Sequence, residues 1–521
     1  MIIKTNILNL IVRILPPLLF FSLAALLLLG SSMNANLIRD EHQFVASAKI
    51  FLDDNLTPYV DYPYFHMPYL VFIYAFIYKF CGFVLLAARL VSVFSGFLIL
   101  LLVFFIAIKL FNNFAYIHRC LIAIGFSSIL LNNPLFVYAS NYAWNHNLSV
   151  LFSLLTFILI SHSSFRASPK KYLFFAGIFL GLSIGIRLSF LPTVVPFLIM
   201  IFFSPNACIF KEKIRLIFSF CLGVFVALLP AILMFTIAPV NFVFGNFEYA
   251  KFNTLYRQQM DYKVAMTLFG KFSYLKNAII SNPCNLLFLF AFLVFVMTNI
   301  NRRNLQLNRL SEIIFLLVLL PFLLLGSFAP TPSWYQYYYA PVPFALVGIV
   351  YGMKKILDND SKNRVVIIFF LLLIFFSYAY GPFGPERIKH YLYKAFSPFS
   401  WEPLKIHRLG RELGTFIKHG KVLTFAPIFP LEGEVRIYKE FATGPFAYRV
   451  GHLISENKKR QYRIVSQNEL IGFLNQNTPE AIFTGFESDL ENIMDSYAKD
   501  NRYKRVQLSN KKTLWLLSST P

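Results

Sequence analysis

YLVFIYAFIYKFCGF, residues 69–83, decides how the chain is threaded. It is apolar enough for a membrane span, but a crossing helix needs roughly 20 residues and this run is shorter. The surrounding charges settle its reading. Lys4 and Arg13 accompany the first long apolar run, 11–30, and place the N-terminus on the cytoplasmic side. The run resembles a signal peptide but lacks a small-x-small cleavage site, so an uncleaved anchor is expected. Later basic loops fall at 109–119, 166–171, 211–215, 302–309 and 354–364, and all five should be cytoplasmic. If residues 69–83 crossed, the loops between Lys109 and Lys171 would lie on the wrong side. The segment is therefore expected as an interfacial helix on the outer surface.

With it excluded, spans are expected at 11–30, 85–108, 120–138, 147–162, 172–187, 189–204, 216–238, 284–300, 311–329, 336–353 and 364–380. The predicted fold is a polytopic α-helical membrane protein of about 11 spans. Its C-terminus, like the outer loops 31–84 and 239–283, is extracytoplasmic, in the inner or plasma membrane. The second of these loops carries an amphipathic stretch, FEYAKFNTLYRQQMDYK. From residue 381 the composition becomes that of a soluble protein. KVLTFAPI and RIVS predict strands, and PLKIHRLGRELGTFIKH and LENIMDSYAKDN predict helices, so 381–521 is expected as a small α/β domain behind a membrane domain of 1–380.

Composition agrees with this threading. The 521 residues are 57% hydrophobic and 14% charged, and mean hydropathy is +0.59, which excludes an ordinary soluble globule. A net charge of +23 in a soluble protein would suggest nucleic acid. Here the cytoplasmic loops account for it, and no nucleic-acid partner is expected. The 381–521 segment has 21 Lys/Arg against 14 Asp/Glu, a mild excess suited to a solvated surface near an anionic membrane. The five Cys, at 81, 120, 208, 221 and 284, form no CxxC pair, so neither a zinc site nor a disulfide framework is implied. GLSIG, 181–185, matches GxSxG in form only, since it lies inside an apolar span rather than on a strand-to-helix turn.

Against this apolar background LIRDEHQF, 37–44, sets four ionisable side chains, Arg39, Asp40, Glu41 and His42, in a row just past the first span. Residues 40–52 have helical periodicity, with Phe44, Ala48, Phe51 and Leu52 on one face. Asp40 with Gln43 resembles a capping box, so Asp40 is expected as the N-cap of an amphipathic surface helix. A carboxylate here, partly desolvated beside apolar helices, also has the basicity to take a proton from an acceptor. Both readings can hold together. The segment DNLTPYVDYPYFHMPYLVFIY follows, with Pro58, Pro63 and Pro68 among aromatics, a stiff turn leading into the interfacial helix.

An Asp-Glu pair after the first span, an amphipathic helix, an aromatic-proline turn and an interfacial helix together resemble the GT-C glycosyltransferases. The resemblance is closest to the bacterial protein mannosyltransferase-like group, which includes the enzymes that add aminoarabinose to lipid A. LAARLVSVFSGFLILLLVFFIAIKLF resembles the second span of that group, GLSIGIRLSFLPTVVPFLI its segment with a basic residue at a helix end, and WYQYYYAPVPFALVGIV a late span opening on aromatics and prolines. The likeness covers residues 8–355.

The resemblance implies an inverting transfer of sugar from a polyprenyl-phosphate donor to a lipid, glycan or protein acceptor outside the membrane. It places the catalytic base at Asp40 and its acidic partner at Glu41. Arg187 falls on the basic position that steadies the leaving phosphate, although an Arg at a span end also snorkels. His66 and Tyr338 fall on further phosphate-contact positions, and Arg89 on a recurrent structural Arg. The second outer loop departs from the pattern. It reads ASNYAWNHNLSV, without a carboxylate, which favours a metal-independent single base and no cofactor. There Asn145 and His146 either hydrogen-bond sugar hydroxyls or satisfy backbone at the span end. FATGPFAYRVGHL resembles the outer domain of some members, where it docks the acceptor, forms a lid or only adds stability. The competing readings are a glycolipid transporter or flippase, which normally carries ionisable groups mid-bilayer and repeated halves, and a surface-polysaccharide polymerase or ligase.

Overall fold

The structure is a computed structural model describing residues 2–163, 169–203, 209–262, 266–297, 312–358, 363–508 and 512–518. The predicted basic loop at 302–309, Cys208 and the first half of the 166–171 loop lie outside these residues. The membrane-side helices run in chain order. They are α1 (Ile2–Asn34), α2 (Arg39–Asp53), α3 (Tyr69–Tyr78), α4 (Val84–Leu110), α5 (Tyr116–Leu131), α6 (Pro134–Ser140), α7 (His146–Ser163) and α8 (Pro169–Ile186), then α9 (Val194–Phe202), α10 (Phe210–Ile237), α11 (Pro239–Val243), α12 (Tyr249–Gln259), α13 (Leu268–Ile280), α14 (Pro283–Phe292), α15 (Glu312–Phe328), α16 (Pro341–Leu357), α17 (Asn363–Tyr380) and α18 (Pro385–Ala395).

Five of these are long and apolar enough to cross alone, and the number becomes eight if three bent pairs each count once. Three shorter apolar helices, α7, the Leu188–Phe202 segment and α15, bring the set among the described residues to the 11 predicted positions. The remaining short one, α3, is only 10 residues long, too short to cross a bilayer. Span 120–138 is two helices, α5 and α6, bent by 71°. Pro134 disfavours helical backbone at Asn133, whose side chain then caps α6 by accepting the Leu135 and Phe136 N–H groups. Asn282 before Pro283 repeats the device between α13 and α14, which meet at 99°.

Glycine spacing explains the tightest helix pair. Gly177 and Gly181, four apart on α8, let its backbone approach Phe220 and Val224 of α10, and Gly223 of α10 does the same against Phe174. Thus the first glycine of the GLSIG run, Gly181, serves helix packing. The third glycine in the series, Gly185, seats the Tyr69 ring of α3.

Beyond α18 lie α19 (Glu402–Phe416), α20 (Ile428–Glu432), α21 (Phe446–Gly451), α22 (Glu456–Tyr462), α23 (Leu470–Gln476) and α24 (Ser488–Asp500) around a five-stranded sheet. The strands are β1 (Lys421–Leu423), β2 (Arg436–Ile437), β3 (Ala481–Thr484), β4 (Lys504–Gln507) and β5 (Thr513–Leu516), in the order β2-β1-β3-β5-β4. β1 is parallel to β2 and β3, while β5 is antiparallel to β3 and β4. The expected α/β class and both predicted helices are present. RIVS is a loop instead: Arg463 takes a left-handed conformation, φ 57°, that ends α22. Ser466 then starts the next turn with its N–H bonded to Glu469.

The sheet domain shares a core with the first outer loop. Phe44, Val45 and Leu70 belong to the same buried cluster as Leu413, Val422 and Phe483. Consequently α2 is no surface helix: every residue from Glu41 to Ala48 is buried.

Candidate active site

The Asp-Glu pair divides its work. Helix α2 begins at Arg39 with Ile38 as N-cap, so Asp40 is not the cap. Glu41 holds the helix start instead, accepting the Ile38 N–H at 3.2 Å. It also accepts Arg89 Nε and Nη2, each at 2.8 Å, and the Ala143 N–H at 2.8 Å. Arg89 uses Nη1 on the Ser32 and Ala35 carbonyls at 2.8 and 2.7 Å. Both side chains are 0% exposed. Glu41 and Arg89 therefore tie the end of α1, α2, α4 and the second outer loop together. The two carboxylate oxygens of Glu41 are committed to these four donors.

Asp40 lies about 100° round the helix from Glu41 and is half-buried. Among the described residues its carboxylate has no hydrogen bond or salt bridge. Burial pushes its pKa up to about 6; Arg449, Arg257 and Arg39 pull it down, and Glu41 adds to the rise. The group is thus ionised at neutral pH but close to its titration range, as a general base should be.

Arg187 is the single residue between α8 and the 3₁₀ turn Leu188–Thr193, in extended conformation. Its Nε donates to Ser189 Oγ at 2.9 Å, and its Nη1 meets the His146 ring. The guanidinium lies over the Tyr337 ring at 5.2 Å. No carboxylate pairs with Arg187 among the described residues, so its charge is held half-buried without an anion. His66, packed on Phe44 at 4.8 Å, faces the same charge. Burial, and then Arg187, push its pKa down to about 3. His66 is thus a neutral hydrogen-bonding group, not a cation. Tyr337 lies within electrostatic reach of both Asp40 and Arg187.

Two expectations shift by one residue or one partner. Tyr338 is turned away. The 3₁₀ run Tyr335–Tyr339 rotates successive side chains by about 120°, so Tyr338 packs on Phe328 and bonds the Lys271 carbonyl, and Tyr337 faces Arg187. His146 is engaged with Arg187, with Trp144 at 4.6 Å on its ring. Asn145 is buried beside it at the start of α7, where its carbonyl accepts Ser149 Oγ.

Sequence reasoning missed two cations at the site. Arg257, on α12, stacks over Trp334 at 5.7 Å. Arg449, on α21, donates Nη2 to Glu487 at 2.8 Å. Both sit in segments the sequence had marked only for amphipathicity or likeness.

No family model and no curated relative matches this chain. Its fold is that of the GT-C membrane glycosyltransferases. Among solved structures it is similar to ArnT from Cupriavidus metallidurans in the apo state. The TM-score is 0.60 at 11% identity, over 96% of this chain and 97% of that one. ArnT bound to undecaprenyl phosphate gives a TM-score of 0.59 at 11% identity, over 96% of this chain and 98% of that one. The oligosaccharyltransferase AglB from Archaeoglobus fulgidus, in complex with an inhibitory peptide and a dolichol-phosphate, gives 0.50 at 11% identity, over 96% and 74% of the two chains.

Proposed function

We propose that the protein transfers a sugar from a polyprenyl phosphate to an acceptor outside the membrane, inverting the anomeric centre. What supports this is an unpaired carboxylate, Asp40, together with a guanidinium that has no carboxylate partner among the described residues, Arg187, and an aromatic ring, Tyr337, that lies under Arg187 and within electrostatic reach of both. Asp40 takes the proton from the acceptor hydroxyl or amine as it attacks the anomeric carbon. The bond from that carbon to the phosphate oxygen breaks on the opposite face. The charge that develops on the departing phosphate is stabilised by Arg187, with His66 and His146 as neutral hydrogen-bonding neighbours. Tyr337 takes the phosphate-side role first assigned to Tyr338. Glu41 fixes the backbone that carries Asp40. The lipid phosphates in the similar ArnT and AglB structures support a donor of this class. A single carboxylate base needs no metal, and we assign none.

Asp40→Asn tests the reading. General-base catalysis contributes about 100- to 10,000-fold, so turnover should fall by that much while binding of a polyprenyl phosphate persists. Full activity in D40N would end the proposal; a transporter would keep its flux. We further propose that the sheet domain is extracytoplasmic. Lys418→Cys in intact cells should react with an impermeant thiol reagent, and Lys170→Cys only after permeabilisation. The opposite pattern would invert the topology.

A further inference from the structure

The first outer loop and the sheet domain enclose a cleft of about 680 Å³, a volume within the usual range of small-molecule sites. Neither Asp40 nor Arg187 is in its wall. One side is the start of α2, where Arg39 and His42, three residues apart, share a face. Another is α19, which contributes Glu402, Lys405, Arg408 and Glu412. Phe425 and Phe429, with Ile406 and Leu409 of α19, give it a buried apolar floor, and Phe486 adds a third ring.

His42 is 5% exposed, and its Nδ1 has no hydrogen-bond partner. Burial pushes its pKa down to about 3, so the ring is neutral and offers one donor and one acceptor. A buried ring nitrogen without a partner is rare in folded proteins, and the space beside this one is the cleft. The base does not use it, because His42 lies about 200° round α2 from Asp40.

The lining discriminates among ligand classes. An anion would meet Glu402, Glu412 and Glu487 as well as the cations Arg39, Lys405, Arg408 and Lys512. A peptide strand would pair with a sheet edge, but the edge strands β2 and β4 do not line the cleft. A neutral saccharide fits both halves of the lining. Its apolar ring face rests on phenyl rings, and its hydroxyls, each donor and acceptor, match a neutral imidazole beside charges of both signs.

We propose that this cleft binds a neutral sugar unit of the acceptor, at a distance along the chain from the group that reacts. The proposal rests on the transferase reading and narrows its acceptor to an oligosaccharide or glycolipid of at least two sugars. Around α2, Arg39 lies between His42 and Asp40, and it pairs with Glu487 at the cleft wall. A hydroxyl at the base and a ring in the cleft therefore belong to different units of one chain, which passes over Arg39.

The test holds the full-length protein in amphipol, since sugar-headed detergents would compete. Maltotriose, cellotriose and chitotriose are the probes, read by saturation-transfer NMR with and without saturating farnesyl phosphate at the donor pole. At least one trisaccharide should bind, and farnesyl phosphate should leave it in place. His42→Leu, which removes the ring nitrogens, should weaken binding roughly fivefold or more. Lys405→Trp, at a rim position 53% exposed, should also weaken it by filling the cleft without disturbing the core. Both variants should bind farnesyl phosphate as wild type does. Absence of binding by all three trisaccharides would overturn the proposal, as would wild-type affinity in both variants or displacement by farnesyl phosphate. Binding of a neutral acetylated pentapeptide in their place would overturn it too, and would assign the cleft to a protein acceptor. If H42L fails to fold, K405W and the wild-type competition still decide. Full turnover in D40N would count against the transferase reading alone, and the trisaccharide titrations would still decide what the cleft binds.

Discussion

Asp40 and Glu41 are adjacent, chemically alike and opposite in use. The sequence marked the pair; only geometry separates a carboxylate with four donors from one with none. Two consequences follow from that difference. A base with a pKa near 6 works only when ionised, so kcat should drop about tenfold per pH unit below 6 and level off above it. Because Arg449 is the strongest charge lowering that pKa, R449Q should move the midpoint to higher pH; a pH–rate profile reads both effects. Glu41→Gln should act through stability. It leaves the Arg89 guanidinium fully buried without its counter-charge, a loss of about 3–5 kcal/mol in comparable cases. A large drop in melting temperature is expected, and an unchanged melt with lost turnover would make Glu41 a direct participant. Arg187 and His66 were picked out by the resemblance, at a span end and before the short apolar helix, and the fold sets His66 against the Arg187 charge. Tyr337 and Tyr338 were not separable in a run of tyrosines, because only the 3₁₀ phase tells which ring faces the cation.

The legible elements were those with length and period. Among the described residues every predicted span falls on helical segments, because a long apolar run has few other ways to satisfy its backbone in lipid. The bend between α5 and α6 was signalled by Asn132-Asn133-Pro134 but was absorbed into one continuous span, while Ser281-Asn282-Pro283 fell at the expected boundary between outer loop and span. The strands were harder. β2 spans only Arg436–Ile437, too short for alternation to show, while the β-branched residues of RIVS are a loop held by Arg463 and Ser466. The glycines of α8 give an element-scale prediction. Gly177→Leu would force the helix off α10 at Phe220, and Arg187, one residue past the helix end, would move with it. Polyprenyl-phosphate affinity should fall at least about tenfold, since positioning errors of 1 Å carry large costs. A control, Phe175→Leu, on an exposed position of the same helix, should bind normally.

At the scale of the molecule, the sheet domain was legible as a composition change but not as part of the site. Long-range contacts leave no local pattern. Glu432 on α20, 2% exposed, accepts the Leu85 N–H at 2.7 Å and pairs with His407 Nδ1 at 2.7 Å. Leu85 is in the first turn of α4, whose N–H groups have no partner within the helix. The domain thus caps a membrane helix more than 300 residues earlier in the chain. Glu432→Ala should strand that amide and cost about 1–3 kcal/mol, visible as a lower melting temperature for the whole protein rather than for the domain alone. Arg463 adds a second tie, donating Nε to the Val60 carbonyl at 2.6 Å.

That cap has a bearing on biogenesis. Ribosomes deliver α4 to the bilayer well before Glu432 has been made, so the helix waits with an open end while the rest of the polypeptide is synthesised. Completion of the extramembrane portion is what locks the inserted bundle, and chains stalled before α20 should be the preferred prey of membrane-associated proteases.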